Sequence, residues 1–144
     1  MAKPAPPTVV QGGRAKAYRP IPAAARAAAF TEALAAYDRG DFFLTHELLE
    51  PAWMGTDDLP ERELYQGLIK LAAAFVHGVR GNPRGIARNL EGARERLAAA
   101  AEAGRTEGLE LADLLAAIDD RLTRLASDPD ASPIEPPSLR RTTP

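Results

Sequence analysis

Proline placement is the feature that most constrains what this chain can fold into. Ten of its thirteen prolines lie in residues 1–22 and 127–144. Proline removes a backbone donor and clashes with the preceding helical turn, so the two ends cannot continue helices. The sequence therefore predicts a Pro-rich N-terminal arm (1–22), a helical bundle domain (23–126) and a Pro-rich C-terminal tail (127–144), with both ends extended or disordered.

Apolar residues recur at helical spacing within the central segment, and its many alanines favour helix over strand. Ile86, Leu90 and Leu97, for example, form one stripe. Asp41 and Asn82 are typical capping residues at helix starts. The predicted helices cover about residues 23–39, 42–53, 61–80, 83–103 and 109–126. The expected fold is a single all-α bundle of about five helices.

Composition excludes several function classes. The chain has no cysteine and a formal net charge of −2. The lack of thiols rules out disulfides and zinc–thiolate sites and fits a cytoplasmic location. The near-neutral charge argues against nucleic-acid binding, which needs a basic surplus. No apolar run approaches the ~20 residues of a membrane span. Alanine-rich helix faces would allow a homo-oligomer, and any small-molecule ligand is unknown.

Two predicted helices carry ionisable side chains among apolar ones. His46 and Glu50 lie one turn apart in the second helix, which is apolar around most of its circumference. On the third helix, Gln66, Lys70 and His77 fall on one narrow line beside small alanines. Helices joined by a short loop commonly pack antiparallel. We therefore expect these five side chains to face one another in a buried polar cluster.

Two aromatic residues border the expected cluster. Trp53 is expected to form a core or pocket wall, and Tyr65 either presents its hydroxyl to the cluster or simply begins the third helix. Pro51 lies within the second helix, where it would clash with the carbonyl of Glu47 and could kink or end the helix.

Two segments carry a recognisable pattern, namely FTEALAAYDRGDFFLTHELLEPAW and LYQGLIKLAAAFVHGVRGNPRGIARNLEGARERL. Together they resemble the bacterial and archaeal domain of unknown function (DUF) family 309, over about residues 30–97. The matching residues are His46, Glu47, Glu50, Trp53, Gln66, Gly67, Leu68, Ile69, His77, Gly81 and Asn82. The resemblance implies a small all-α bundle. Some family members are labelled predicted metal-dependent hydrolases, a label that carries no established substrate.

One interpretation of the cluster is a metal site. His46 and Glu50, at i and i+4, can reach one ion, and His77 would be the third ligand. Glu47 would then occupy the general-base position of H-E-x-x-H helices. Such a set suits zinc or another divalent metal. Lys70 argues against it, because its charge would repel a bound dication unless Glu50 shields it.

The other interpretation is a buried hydrogen-bond and ion-pair network. Glu50 would pair with Lys70 or a histidine and fix the register of the two helices. From the sequence we favour this interpretation, which makes the cluster structural or ligand-binding rather than catalytic. The alternative is a metal-dependent hydrolase with a His46–Glu50–His77 site. The cofactor is unknown, and a divalent metal is the candidate.

Overall fold

The computed structural model describes residues 7–77, 82–131 and 133–142. These residues form five α-helices and one two-stranded antiparallel sheet. The elements are β1 (Thr8–Gln11), β2 (Arg14–Ala17), α1 (Ala23–Asp38), α2 (Phe42–Met54), α3 (Leu59–Ala74), α4 (Pro83–Glu102) and α5 (Leu111–Ser127). The predicted all-α bundle is confirmed. No helix of the described residues is both long and apolar enough to cross a membrane.

Helix α3 lies at the centre of the bundle, packed between α2 and α4. Its residues Leu64, Leu68 and Leu71 are buried in the core.

The stripe predicted for α4 is confirmed, since Ile86, Leu90, Ala93 and Leu97 are all buried. Complete burial of one leucine side chain stabilises a fold by about 1.5–3 kcal/mol relative to leaving it exposed. The two helices approach closely at Gly67, where an added Cβ would lie 2.7 Å from the side chain of Leu97.

The capping predictions hold at two helix starts. The Asp41 carboxylate accepts a hydrogen bond from the backbone N–H of Leu44 at 3.2 Å, and the Asn82 side chain accepts one from Arg84 at 3.1 Å. Helix α2 does not end at Pro51 but continues to Met54.

Helix α3 ends at Ala74, earlier than the expected residue 80. Its last turn tightens, because the backbone N–H of Phe75 bonds to the carbonyl of Ala72 three residues back. Phe75 is buried with its ring 5.9 Å from that of Phe42. The early end takes His77 off the helix, so His77 cannot continue the predicted polar line. The expected stop at Gly81 lies outside the described residues.

Part of the N-terminal arm is a β-hairpin. Its turn, Gly12-Gly13, has φ angles of 61° and 77°, the left-handed pair that a two-residue hairpin turn requires. Beyond the hairpin, the backbone N–H of Arg19 donates to the carbonyl of Met54 at 2.7 Å. Val10 faces outward with 65% of its surface exposed, whereas Gln11 is only 1% exposed. The hairpin is thus attached to the end of α2 and buries one glutamine.

The C-terminal segment 133–142 forms no helix, and it contributes to the core. Ile134 is fully buried and Leu139 nearly so. The hydroxyl of Tyr37 donates to the carbonyl of Pro137 at 2.6 Å, and the backbone N–H of Thr142 donates to Gly108 at 2.7 Å. The segment assigned to a tail by its prolines therefore covers the apolar surface of the bundle.

We expect Ile134→Ala to lower the free energy of unfolding by about 2–5 kcal/mol, because it leaves a cavity in the core. Urea denaturation followed by circular dichroism measures the change. The matched control is Ser138→Ala in the same segment, where the side chain is exposed. Equal stability of the two variants would show that the segment is not docked in solution.

Candidate functional site

His46, Glu47 and Glu50 come together on the outer surface of α2. The Nδ1 atom of His46 lies 3.6 Å from Glu47 Oε1 and 3.7 Å from Glu50 Oε2. The side chains of His46, Glu47 and Glu50 are 33%, 54% and 45% exposed, respectively. Contacts of this length in water contribute only about 0–1 kcal/mol. The structure therefore places these groups at the surface and not in the buried cluster that their apolar neighbours suggested.

His77 does not join the α2 residues. It is exposed and lines a small depression with Ala73, Ala74 and the start of α4. Across the described ranges, no group of three or more His, Cys, Asp or Glu residues is placed to hold a metal ion. The structure thus brings His46 and Glu50 together without the third expected ligand.

Lys70 and Gln66 also lack the expected partners. The Lys70 side chain lies over Gly92 of α4, where an added Cβ would be 2.7 Å from Lys70 Cδ. Among ion pairs of the described residues, none joins Lys70 to Glu50. The Oε1 atom of Gln66 is buried, and no described residue donates a hydrogen bond to it.

Buried charge is concentrated instead in the first turns of α3. Glu61, Arg62 and Glu63 are all buried, and each contacts a different part of the chain. Glu63 pairs with Arg96 of α4 at 3.2 Å. Burial of charge requires compensating hydrogen bonds or ion pairs, so these residues constrain the elements around them.

The Glu61 carboxylate joins α3 to α1 and to the segment that follows α4. It accepts hydrogen bonds from Arg26 Nε at 2.6 Å, from the Tyr65 hydroxyl at 2.8 Å and from Arg105 at 3.4 Å. Burial raises the pKa of Glu61, but the hydrogen bonds and the two arginine charges outweigh it, so the pKa lies below its usual value. Burial, followed by the bond to Glu61, raises the pKa of Tyr65. The Tyr65 hydroxyl is thus directed to Glu61 and not to the histidines.

Arg62 is the most deeply buried charged residue of the described ranges, with no exposed surface. Its guanidinium carbon lies 5.0 Å from the centroid of the Trp53 ring, and its Nη1 donates to the carbonyls of Trp53 at 3.0 Å and Thr56 at 2.9 Å. Its Nε donates to Gln11 Oε1 at 3.3 Å, and the indole Nε1 of Trp53 donates to the same oxygen at 2.9 Å. Two side-chain donors therefore converge on one oxygen. We call these two donor side chains, together with the position that the Gln11 oxygen occupies between them, the Trp53–Arg62 site.

Some hydrogen-bond donors of the Trp53–Arg62 site have no acceptor among the described residues. Gln11 Nε2 and Arg62 Nη2 are buried without hydrogen-bond partners, and Arg62 forms no ion pair with a carboxylate of the described residues. Burial lowers the pKa of Arg62, and the negative charge of Glu63 opposes this shift. The guanidinium is still protonated at neutral pH.

The sequence interpretation included Trp53 in the site but missed Arg62 and Gln11. Arg62 precedes Gln66 by four residues, so it extends the polar line of α3 by one turn. The spacing of Arg62 and Gln66 could therefore have indicated Arg62 from the sequence. No sequence pattern indicates Gln11, because it lies 51 residues from Arg62 in the chain.

Comparison with known proteins confirms the family resemblance. A family model described as "Domain of unknown function (DUF309)" matches residues 30–89 of the chain. The matched segment includes Trp53 and Arg62, whereas Gln11 lies outside it. Neither the comparison with curated proteins nor that with solved structures finds a significant match.

We expect the Glu61 network to make stability depend on pH. Because the folded-state pKa of Glu61 is lowered, its contribution is present above the unfolded value of about 4.3 and is lost as pH falls through the folded value. Glu61→Gln should cost about 2 kcal/mol at pH 7. This cost should shrink towards pH 3 in urea titrations. Glu47→Gln, an exposed control, should change little; a pH-independent cost for Glu61→Gln would contradict the assignment.

Proposed function

We propose that this chain is a non-catalytic binding domain and that the Trp53–Arg62 site holds its ligand. One observation supports the proposal. Two donors from the family-matched segment converge on one oxygen, and that oxygen belongs to Gln11, outside residues 30–89. The matched segment thus carries a preformed receptor for an acceptor group, and in this chain the N-terminal hairpin fills it.

The chemistry of the two residues favours an acceptor ligand. An indole N–H and a guanidinium can only donate hydrogen bonds. The Trp53 ring beneath the guanidinium, together with the carbonyls of Trp53 and Thr56, fixes the orientation of Arg62 before any ligand arrives. A donor pair that is already ordered loses little conformational entropy on binding.

The same two residues provide no catalytic group. Neither an indole nor a protonated guanidinium acts as a nucleophile or a general base at neutral pH. The site can therefore position and hold an acceptor group, whereas hydrolysis would need a further residue. This chemistry is the reason for proposing binding rather than catalysis.

The alternative, a metal-dependent hydrolase with Glu47 as its general base, has less support. The proximity of His46 and Glu50 favours it. Catalytic zinc sites use three protein ligands, and within the described residues His77 is not placed beside the other two.

We expect the purified protein to bind no stoichiometric metal, contrary to the hydrolase alternative. Protein purified without a His-tag, dialysed against zinc and analysed by mass spectrometry for metals, should hold much less than one equivalent. His46→Ala should leave that content unchanged. One tightly held equivalent that is lost in both His46→Ala and His77→Ala would establish the metal site instead.

The binding proposal is tested by removing the hairpin's own acceptor. Full-length Gln11→Ala should bind acetamide, the fragment that the substitution deletes, with a dissociation constant in the millimolar range, on the order of 4 kcal/mol of binding free energy. Wild-type protein should bind at least about tenfold more weakly, because Gln11 competes for the site. Emission of Trp53, the single tryptophan, reports occupancy.

Val10→Ala, on the exposed face of the same hairpin, is the matched control and should behave like wild type. If folded Gln11→Ala shows no saturable response to acetamide, the donor pair is not a binding site and the proposal fails.

A further inference from the structure

The geometry points to a carboxylate as the group that the Trp53–Arg62 site binds, with Gln11 as a neutral stand-in for it. This inference rests on the proposed binding function and specifies the chemical class of its ligand. Three observations carry it: the free edge of the Arg62 guanidinium, the orientation of the Gln11 amide, and the missing counter-charge of Arg62.

One edge of the Arg62 guanidinium, formed by Nε and Nη2, has only one of its two N–H groups hydrogen-bonded. Nη1 is occupied by the carbonyls of Trp53 and Thr56. The Nε and Nη2 groups form another edge, from which two parallel N–H bonds can hold the two oxygens of a carboxylate. In the structure Nε donates to Gln11 Oε1, while Nη2 is buried and has no acceptor among the described residues.

The amide of Gln11 accepts from Trp53 Nε1 and from Arg62 Nε, but it does not accept from Arg62 Nη2. The Gln11 atom that faces Trp53 Nε1 must be the oxygen, since an indole N–H only donates. The other amide atom, Nε2, is then a second buried donor for which the described part of the chain offers no acceptor. A carboxylate has an oxygen in place of this NH₂ group. It would remove the orphaned Nε2 donor and could offer its second oxygen to Nη2.

Charge favours the same ligand. Arg62 is fully buried and forms no ion pair with a carboxylate of the described residues, whereas its neighbours Glu61 and Glu63 are engaged with other arginines. The guanidinium has already lost its hydration in the folded chain. A carboxylate that binds it must lose its own hydration, but it gains a partner that water no longer screens.

The first test compares two fragments of equal shape. In full-length Gln11→Ala, acetate should bind at least about tenfold more tightly than acetamide, as followed by Trp53 emission and by the melting temperature at constant ionic strength. Sodium chloride replaces sodium acetate in the control titration. Acetamide binding as tightly as acetate, or more tightly, would overturn the carboxylate assignment while leaving the binding function intact.

The second test supplies the carboxylate from the chain itself. Gln11→Glu should raise the melting temperature near pH 7 by about 5 °C above wild type. Pairing with Arg62 lowers the pKa of the new carboxyl, so the gain is present above about pH 4.3 and is lost as pH falls through the folded value. Val10→Glu, which adds the same charge at an exposed position, should give no gain.

The two tests separate the two claims. A stabilised Gln11→Glu with no binding of either fragment to folded Gln11→Ala would support the carboxylate match and refute the proposed ligand-binding function. A Gln11→Glu variant that melts no higher than Val10→Glu at pH 7 would refute the carboxylate match, whatever the fragments do.

Discussion

Burial of three consecutive charged residues at the start of α3 is the constraint around which the rest of the structure is arranged. Each of these side chains needs partners that its own helix cannot supply. Arg26 of α1 and Arg105, which follows α4, meet Glu61, while Arg96 of α4 meets Glu63. The end of α2 and the N-terminal hairpin surround Arg62. The polar network therefore fixes relative positions that apolar packing alone leaves adjustable.

In the proposed binding function, the same buried charge divides the Trp53–Arg62 site between two parts of the chain. Trp53 and Arg62 belong to the segment that matches the family, and their relative position is held by main-chain carbonyls within that segment. The oxygen that they share comes from a hairpin outside it. An occupant that leaves Arg62 Nη2 without a partner is less firmly held than one that accepts from both Nε and Nη2 of Arg62. Under the proposed binding function, the hairpin competes with the ligand for the site and is also a part of the fold.

Sequence reasoning was most accurate where the pattern was local. The α4 stripe and the caps at Asp41 and Asn82 depend on residues within one helix, and the structure contains them. It was least accurate where two segments had to meet. The line through Gln66, Lys70 and His77 assumed a helix that continues past residue 74, and Lys70 lies over Gly92 instead of facing Glu50. The helical periodicity of a sequence indicates which side chains share a face of a helix, but it does not indicate which other helix packs on that face.

The sequence by itself determined the helical class, the order of the helices and the presence of polar groups among apolar ones, because period, capping and proline placement act over a few residues. Only the tertiary structure decided which polar groups are buried. It left His46 and Glu50 at the surface of α2 and enclosed Arg62 with Trp53 and the distant Gln11. The physical reason is that burial depends on contacts between residues far apart in the chain, and no local pattern encodes them.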